Sequence, residues 1–438
     1  MKLKTLKYFT VGTVLVSSMS LLAQESTAVL PENIHRARVV GIMTDDIDTT
    51  FNDRGQEESL LKALSQSVTM NQIIGGQKDP MAKFGLTALK DYLNAVSGDK
   101  KLGDNLYQVD LVGDSKINAS QIFYAYEYGL TSDLSIGIKV PQVIMDVTAD
   151  YKVGGTQDNF AAAKKAVAGN ATLAGVLGGF EKAVTSGAAA KGALLGAQAM
   201  LTSNGYEVPD DFSKNGLGDA EIGAVYRYFK STHFDTIVEL GLRLPTSKLT
   251  SDGEREQAKL LDTGLGDGSY DLGLKLNQDI KITNNFVFGT SLRYTWQIPD
   301  SIDWSVKKKG SLAPLANLND PSLRGSVDRD LGDMIESEVA LSYKFFDGFL
   351  KPHVAYKFNW QDNDRYKGSN AALDYASLNE TSAHTHAYQV GLNISSIPFY
   401  KKKQFFVPGE LRLKWNQAID GKNSAKTSYA RADLMVYF

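Results

Sequence analysis

Three groups of residues carry the side chains from which chemistry could be built. His384 and His386 stand two apart, just downstream of Glu380, and on a strand that spacing puts both imidazoles on one face. Two imidazoles can share a metal ion, but two ligands fall short of a site, so no metal centre is expected. Asp45, Asp46, Asp48, Asn52, Asp53, Glu57 and Glu58 form an acidic stretch that could attract calcium. Their spacing is not that of a calcium loop, and a solvated acidic loop is the simpler expectation. Ser382, His384, His386 and Asn416 include the residue types of a hydrolytic set, yet Asn416 has the opposite strand parity. The chain has no Cys, which excludes a thiol nucleophile and thiolate metal sites. There is no glycine loop of phosphate-cradling type. Neither a catalytic residue nor a cofactor is expected.

A further group is larger and periodic. From residue 132 onward, segments of about ten residues alternate between apolar and polar, the period of a strand with two unlike faces. Val339, Leu341, Tyr343 and Phe345 share one parity, while Glu336, Glu338, Ala340, Ser342 and Lys344 hold the other. After Asp347-Gly348 the alternation resumes with Leu350, Val354, Tyr356, Phe358 and Trp360, the signal of a hairpin. The polar parity collects Asp219, Glu221, Arg227, Asp235, Glu239, Arg243, Asp271, Lys275 and Arg293. It continues with Glu336, Glu338, Lys344, Lys351, Lys357, Glu410, Arg412, Lys414, Arg431 and Asp433. These are the candidate lumen-lining residues of a barrel. Their signs balance, which predicts weak ion selectivity at most.

What must position such a set is a closed sheet in a membrane. A composition of 43% hydrophobic and 22% charged residues, with net charge −3 and mean hydropathy −0.22, resembles that of a soluble protein. It excludes a helical membrane bundle and a basic nucleic-acid binder. The N-terminus supplies the context. Lys2, Lys4 and Lys7 precede the apolar run Tyr8 to Leu22, and Ser26-Thr27-Ala28 fits a cleavage site, so residues 1–28 read as a secretory signal peptide. Residues 29–438 are then expected to form one transmembrane domain.

Three features favour a membrane barrel over a soluble sandwich. Aromatic residues cluster at strand ends, as in Tyr226 with Tyr228, Tyr294 with Trp296, and Phe358 with Trp360. Links alternate short (230–233, 281–284, 347–348, 397–403) and long (246–268, 298–332, 362–383), as periplasmic turns and extracellular loops do. The chain closes with apolar residues at alternate positions, Leu434, Val436 and terminal Phe438. These resemble the C-terminal signature that outer-membrane barrels present to their insertion machinery.

Working back from Phe438, the expected strands are 427–438, 404–416, 384–396, 349–361, 333–346, 285–297, 269–280, 234–245, 218–229, 132–145, 117–128 and 35–44, a closed antiparallel barrel of twelve. The facing of 35–44 is ambiguous. The segment 117–128 can extend upstream to Leu106; splitting 104–128 at Gly113-Asp114 would lead to fourteen strands. Two outer excursions are long, about 45–103 and 146–217, with helix-compatible stretches at 56–66, 80–96, 159–169 and 171–201. Leu-Gly-Asp recurs at 102–104, 217–219, 265–267 and 331–333, each time ahead of a descending strand. There glycine would permit a sharp turn and Asp would accept backbone N–H bonds.

Leu30-Pro31, Tyr128-Gly129-Leu130-Thr131-Ser132-Asp133 and Gly216-Leu217-Gly218-Asp219 resemble motifs of Gram-negative outer-membrane barrels of the aromatic-compound-degradation transporter type. Those barrels are distantly similar to long-chain fatty-acid channels. The chain departs from the fatty-acid channels in strand count and in having no room for their N-terminal hatch. The resemblance implies uptake of small molecules, hydrophobic or aromatic ones among them. The expected function is a porin-like outer-membrane channel gated by long outer loops. The alternatives are a structural or surface-recognition barrel with a plugged lumen and, less favoured, an outer-membrane hydrolase. Expected partners are outer-membrane lipid and lipopolysaccharide, the insertion machinery and a small-molecule substrate, with no nucleic acid. Deleting Phe438 should lower the yield of membrane-inserted, heat-modifiable protein, and undiminished insertion would contradict the reading of Leu434, Val436 and Phe438.

Overall fold

The alternating segments pair, each with its neighbours in sequence. The structure, a computed structural model, describes residues 29–62, 65–77, 79–98, 101–249, 257–262, 264–311, 315–379 and 382–438. The expected export signal and Glu380 lie outside them. The barrel strands are β1 (His35–Thr44), β2 (Tyr107–Gly129), β3 (Leu134–Asp158), β4 (Ala220–Lys230), β5 (Phe234–Leu244), β6 (Asp271–Lys281), β7 (Phe286–Gln297), β8 (Met334–Tyr343), β9 (Leu350–Gln361), β10 (Ala383–Ser395), β11 (Gly409–Lys422) and β12 (Ser428–Tyr437). Every pairing is antiparallel, and β1 closes the ring on β12, with Val39 opposite Leu434. Twelve strands form the barrel. Residues 104–128 are not split, because β2 runs unbroken through Gly113. Two short strands, Gln66–Thr69 and Phe212–Leu217, add to β2 and β3 without entering the ring.

The outward parity is apolar and stays accessible: Leu240, Leu274, Leu292, Val339, Val354, Val390 and Leu434 all remain exposed. So many large apolar side chains facing outward on a closed sheet fit hydrocarbon, not water. Tyr226, Tyr228, Tyr343 and Phe345 ring the end with the short links, where Phe349 packs edge-on against Phe399 at 5.1 Å. Among the described residues no helix is long and apolar enough to cross a membrane.

Two expected boundaries move. The strand expected at 404–416 runs from Gly409 to Lys422, because Pro398 starts a one-turn helix (Ile397–Lys401) and Pro408, lacking an N–H, precedes the strand. The strand expected at 132–145 continues to Asp158, so the second excursion begins later than residue 146. Nor do the residues described between 56 and 62 form an α-helix. Glu57–Ser59 pairs with Thr49–Phe51 across a turn in which the Asn52 carboxamide oxygen accepts from the N–H groups of Arg54 and Gln56. Gly55 there takes φ +74°.

Residues 61–115 and 149–210 form a compact unit of their own. Its helices are α1 (Met70–Gly76), α2 (Pro80–Ser97), α3 (Phe160–Val167), α4 (Ala171–Thr185) and α5 (Ala188–Ser203). The apolar stripes Leu86, Leu89, Leu93 and Leu177, Phe180, Val184 meet in one core with Phe160 and Tyr107. The helix-compatible stretch 171–201 folds as two helices, α4 and α5, separated at Gly187, which adopts φ +77°.

Leu-Gly-Asp has a different role from the expected one. None of its four glycines adopts a left-handed φ. They permit close approach instead: a side chain at Gly332 would collide with the carbonyl of Asp362, and one at Gly266 with the Asp219 carboxylate. The aspartates do accept hydrogen bonds at the strand edges. Asp219 takes them from the Ser247 N–H at 3.0 Å and hydroxyl at 2.6 Å, and Asp267 from the Ser269 N–H at 2.9 Å. Gly332→Leu should therefore lower barrel stability by about 1–3 kcal/mol, since the obstacle is backbone. Urea-unfolding midpoints in detergent should show the loss, while Leu at open Gly155 should leave them unchanged.

Candidate functional site: the charged inner wall

The inward parity of twelve strands converges on one lumen, and the register decides which charges meet. Arg36 pairs with Glu127 across β1 and β2. Arg38 reaches Asp433 at 2.7 Å, and Arg431 reaches the same carboxylate at 2.6 Å. Lys139 meets Glu221 at 3.0 Å, Arg227 meets Asp235 at 3.2 Å, and Arg412 meets Glu410 at 2.8 Å. Lys357 lies 3.4 Å from Glu338 and Arg293 lies 3.7 Å from Glu336, while Lys275 stands in register between Glu239 and Arg293. Arg243 bonds both Asp271 and Asp267. In the outer loop, burial pushes the Asp267 carboxyl up, but Arg243 and the Ser269 hydrogen bonds outweigh it and hold the carboxyl below its usual value.

These pairings place nearly all the expected lumen residues inside strands and facing inward. Lys351 sits half-buried on β9. Two residues fall elsewhere. Lys344 lies past the end of β8, in the turn, where its N–H bonds the carbonyl of Asn285. Asp219 precedes β4 and is locked by Ser247.

Sequence reasoning missed Arg36, Arg38, Glu127 and Lys139, all buried on the inner wall. Glu127 and Lys139 carry the parity opposite to Tyr126 and Ile138, so their facing was available in the pattern. Arg36 and Arg38 were hidden because Val40 and Ile42 share their parity. Those two pack with Phe123 as a buried apolar cluster on the inner face. A second inward apolar pair, Val225 and Ile237, receives Val29. The Leu30 N–H donates to the Ser135 hydroxyl at 2.9 Å, so the segment ahead of β1 turns into the barrel.

Charge is unevenly spread around the ring. On β1, β12 and β11 the inward bases are Arg36, Arg38, Arg431, Arg412 and Lys414, against the acids Asp433 and Glu410. On β7, β6 and β5, six places round the ring, the acids Asp271, Asp279, Asp235 and Glu239 face an equal set of bases, Arg293, Lys275, Lys281 and Arg243. One arc is basic and the opposite arc balanced. Behind the basic arc, on the outer face, Gly41, Ala430 and Ala432 form the floor of a depression of about 860 Å³ between Trp415 and Ile122.

The other chemical candidates do not assemble. His384 and His386 face outward; the His386 Nδ1 is 2.5 Å from the Tyr356 hydroxyl, and its ring lies against Phe358. Among the described residues no group of three potential metal ligands occurs. Asn416 is buried on the inner face, across the wall from His384, so no Ser/His/Asn set forms. The acidic stretch is committed to its own loops: Asp45 accepts from Ser428 at 2.6 Å, and Glu57 pairs with Lys426 at 2.8 Å.

A family model described as "Putative MetA-pathway of phenol degradation" matches residues 142–396, more than half of the chain, and the chain belongs to that family. No curated protein matches the sequence. Among solved structures, an outer membrane channel from Pseudomonas putida F1 is 11% identical at a TM-score of 0.49, over 95% of this chain and 100% of that one. The Pseudomonas putida toluene transporter TodX is 9% identical at 0.31, over 99% and 94%. A Pseudomonas aeruginosa FadL homologue is 9% identical at 0.30, over 93% and 90%.

Asp433 is the joint of the inner wall, completely buried and shared by two guanidinium groups. Asp433→Asn leaves both cations without their counter-charge and should cost about 3–5 kcal/mol in urea unfolding. Asp347→Asn, which removes an exposed pair with Lys402, should leave the midpoint unchanged.

Proposed function

We propose that this member of the phenol-degradation MetA-pathway family is an outer-membrane channel that admits small molecules, aromatic ones among them. The observation that carries the reading is the division of the wall. Twelve strands close a ring whose outer parity is apolar and whose inner parity is charged and hydrogen-bonded. A brace alone would be served by an apolar core, which packs without the cost of desolvating ions. A polar interior suits a path for solutes. Inward apolar clusters at Val40, Ile42 and Phe123, and at Val225 and Ile237, interrupt the charged wall and give it an apolar component. The family description, a pathway of phenol degradation, points to the same class of cargo. A hydrolase is disfavoured by the separation of Asn416 from His384 across the wall.

A second reading, surface recognition, draws on the helical unit. It has its own core, and Met81 and Phe84 of α2 stand exposed on it. Purified protein in proteoliposomes and planar bilayers separates the two. The channel reading expects stepwise conductance from the full chain, retained when residues 160–203 are replaced by a short linker. Absence of conductance from both forms, with folding verified by heat-modifiable migration, would refute it. Recognition expects that replacement to abolish adhesion while permeability is unaltered.

A further inference from the structure

We propose that the basic arc of the inner wall, on β1, β12 and β11, is a subsite for aromatic carboxylates, organic anions in which a charged head adjoins an apolar ring. The proposal rests on the reading of the barrel as a channel and narrows its cargo.

Charge comes first. Arg38 and Arg431 bind one carboxylate, Asp433, at 2.7 and 2.6 Å, so the trio retains a positive charge. Lys414 is the register partner of Arg431 and adds a second cation at the same level. All four side chains are more than nine-tenths buried and lie on the lumen side. In a confined lumen of low dielectric, surplus charge of one sign is costly, and an anion that binds there relieves the cost.

The apolar neighbour comes second. Ile42 is the other register partner of Arg431, and Val40 is that of Asp433. Phe123 pairs with Val40 and packs against both residues. Lys139 stands 5.0 Å over the Phe123 ring, which brings a further cation to the far side of the apolar patch. Cation and hydrocarbon are therefore one strand spacing apart, roughly 5 Å, which is the scale of a carboxylate joined to a single ring. Chloride would use only the charge, and a neutral arene only the patch. The arc across the ring is balanced in sign, so the surplus of positive charge on the wall is local to β1, β12 and β11.

The test uses the full chain in planar bilayers at pH 7, with three probes of one shape: benzoate, benzyl alcohol and benzylamine. A salt gradient should give a reversal potential on the anion-selective side. Benzoate should interrupt the open-channel current, with residence times at least tenfold longer than those of either other probe. Lys414→Gln should shorten the benzoate events about tenfold and move the reversal potential toward zero. Phe123→Ser should shorten them while leaving the reversal potential in place. Heat-modifiable migration verifies folding of each variant, and the three-probe comparison stands on the unaltered protein alone. Equal interruption by all three probes, or cation preference, in a conducting pore overturns the subsite and leaves the channel reading intact. Folded protein that never conducts overturns both.

Discussion

An amide inside a hydrocarbon layer has no water to bond, and each one left unmet costs several kcal/mol. A sheet can satisfy that demand only by having no edge. The pairing of β1 with β12 is the step that removes the edge, and the His35 N–H and the Phe438 carbonyl still bond at 2.8 Å at its end. The rest of the barrel follows from closure. Twelve strands joined in sequence order put the links alternately at the two ends, and the longest of them all fall at one end. The pleat divides each strand's residues between lipid and lumen. Ordinary-looking charges are thereby gathered onto one surface, where register decides their partners.

Much of this was legible because the period of two is robust to local detail. The twelve strands and, β1 apart, their facing follow from alternation, and the error at 404–416 has a local cause in Pro398 and Pro408. The register between strands was not legible, since alternation fixes parity and leaves the sliding of one strand past the next undetermined. Asp433 reads as an ordinary inward acid in the sequence. Only the alignment of β1 with β12 and β11 makes it the shared partner of Arg38 and Arg431. Balance of charge is legible in the sequence only as a sum, and a sum carries no information on which arc holds the surplus.

The misread elements have a common physical source. Strand β1 looked ambiguous because two arginines and two aliphatic residues occupy its inner parity, and a rule that assigns polar inside and apolar outside has no place for Val40 and Ile42. The glycines of Leu-Gly-Asp looked like turn formers because glycine's commonest use is a left-handed φ. Their actual use, admitting a neighbouring backbone at Gly332 or a carboxylate at Gly266, depends on segments distant in sequence. The acidic stretch at 45–58 could not be told from a cation site until Lys426 and Ser428, hundreds of residues away, were seen to answer it.

The seam between β1 and β12 carries a final consequence. It is where the first and last barrel strands meet, and the ion pair between Arg38 and Asp433 spans it. A chain whose ring is still open has no Arg38 beside Asp433 and hence no complete basic arc. The charge pattern of the inner wall is thus completed in the same event that seals it. A half-assembled molecule exposes an unmatched guanidinium and a bare strand edge together, and one pairing covers both.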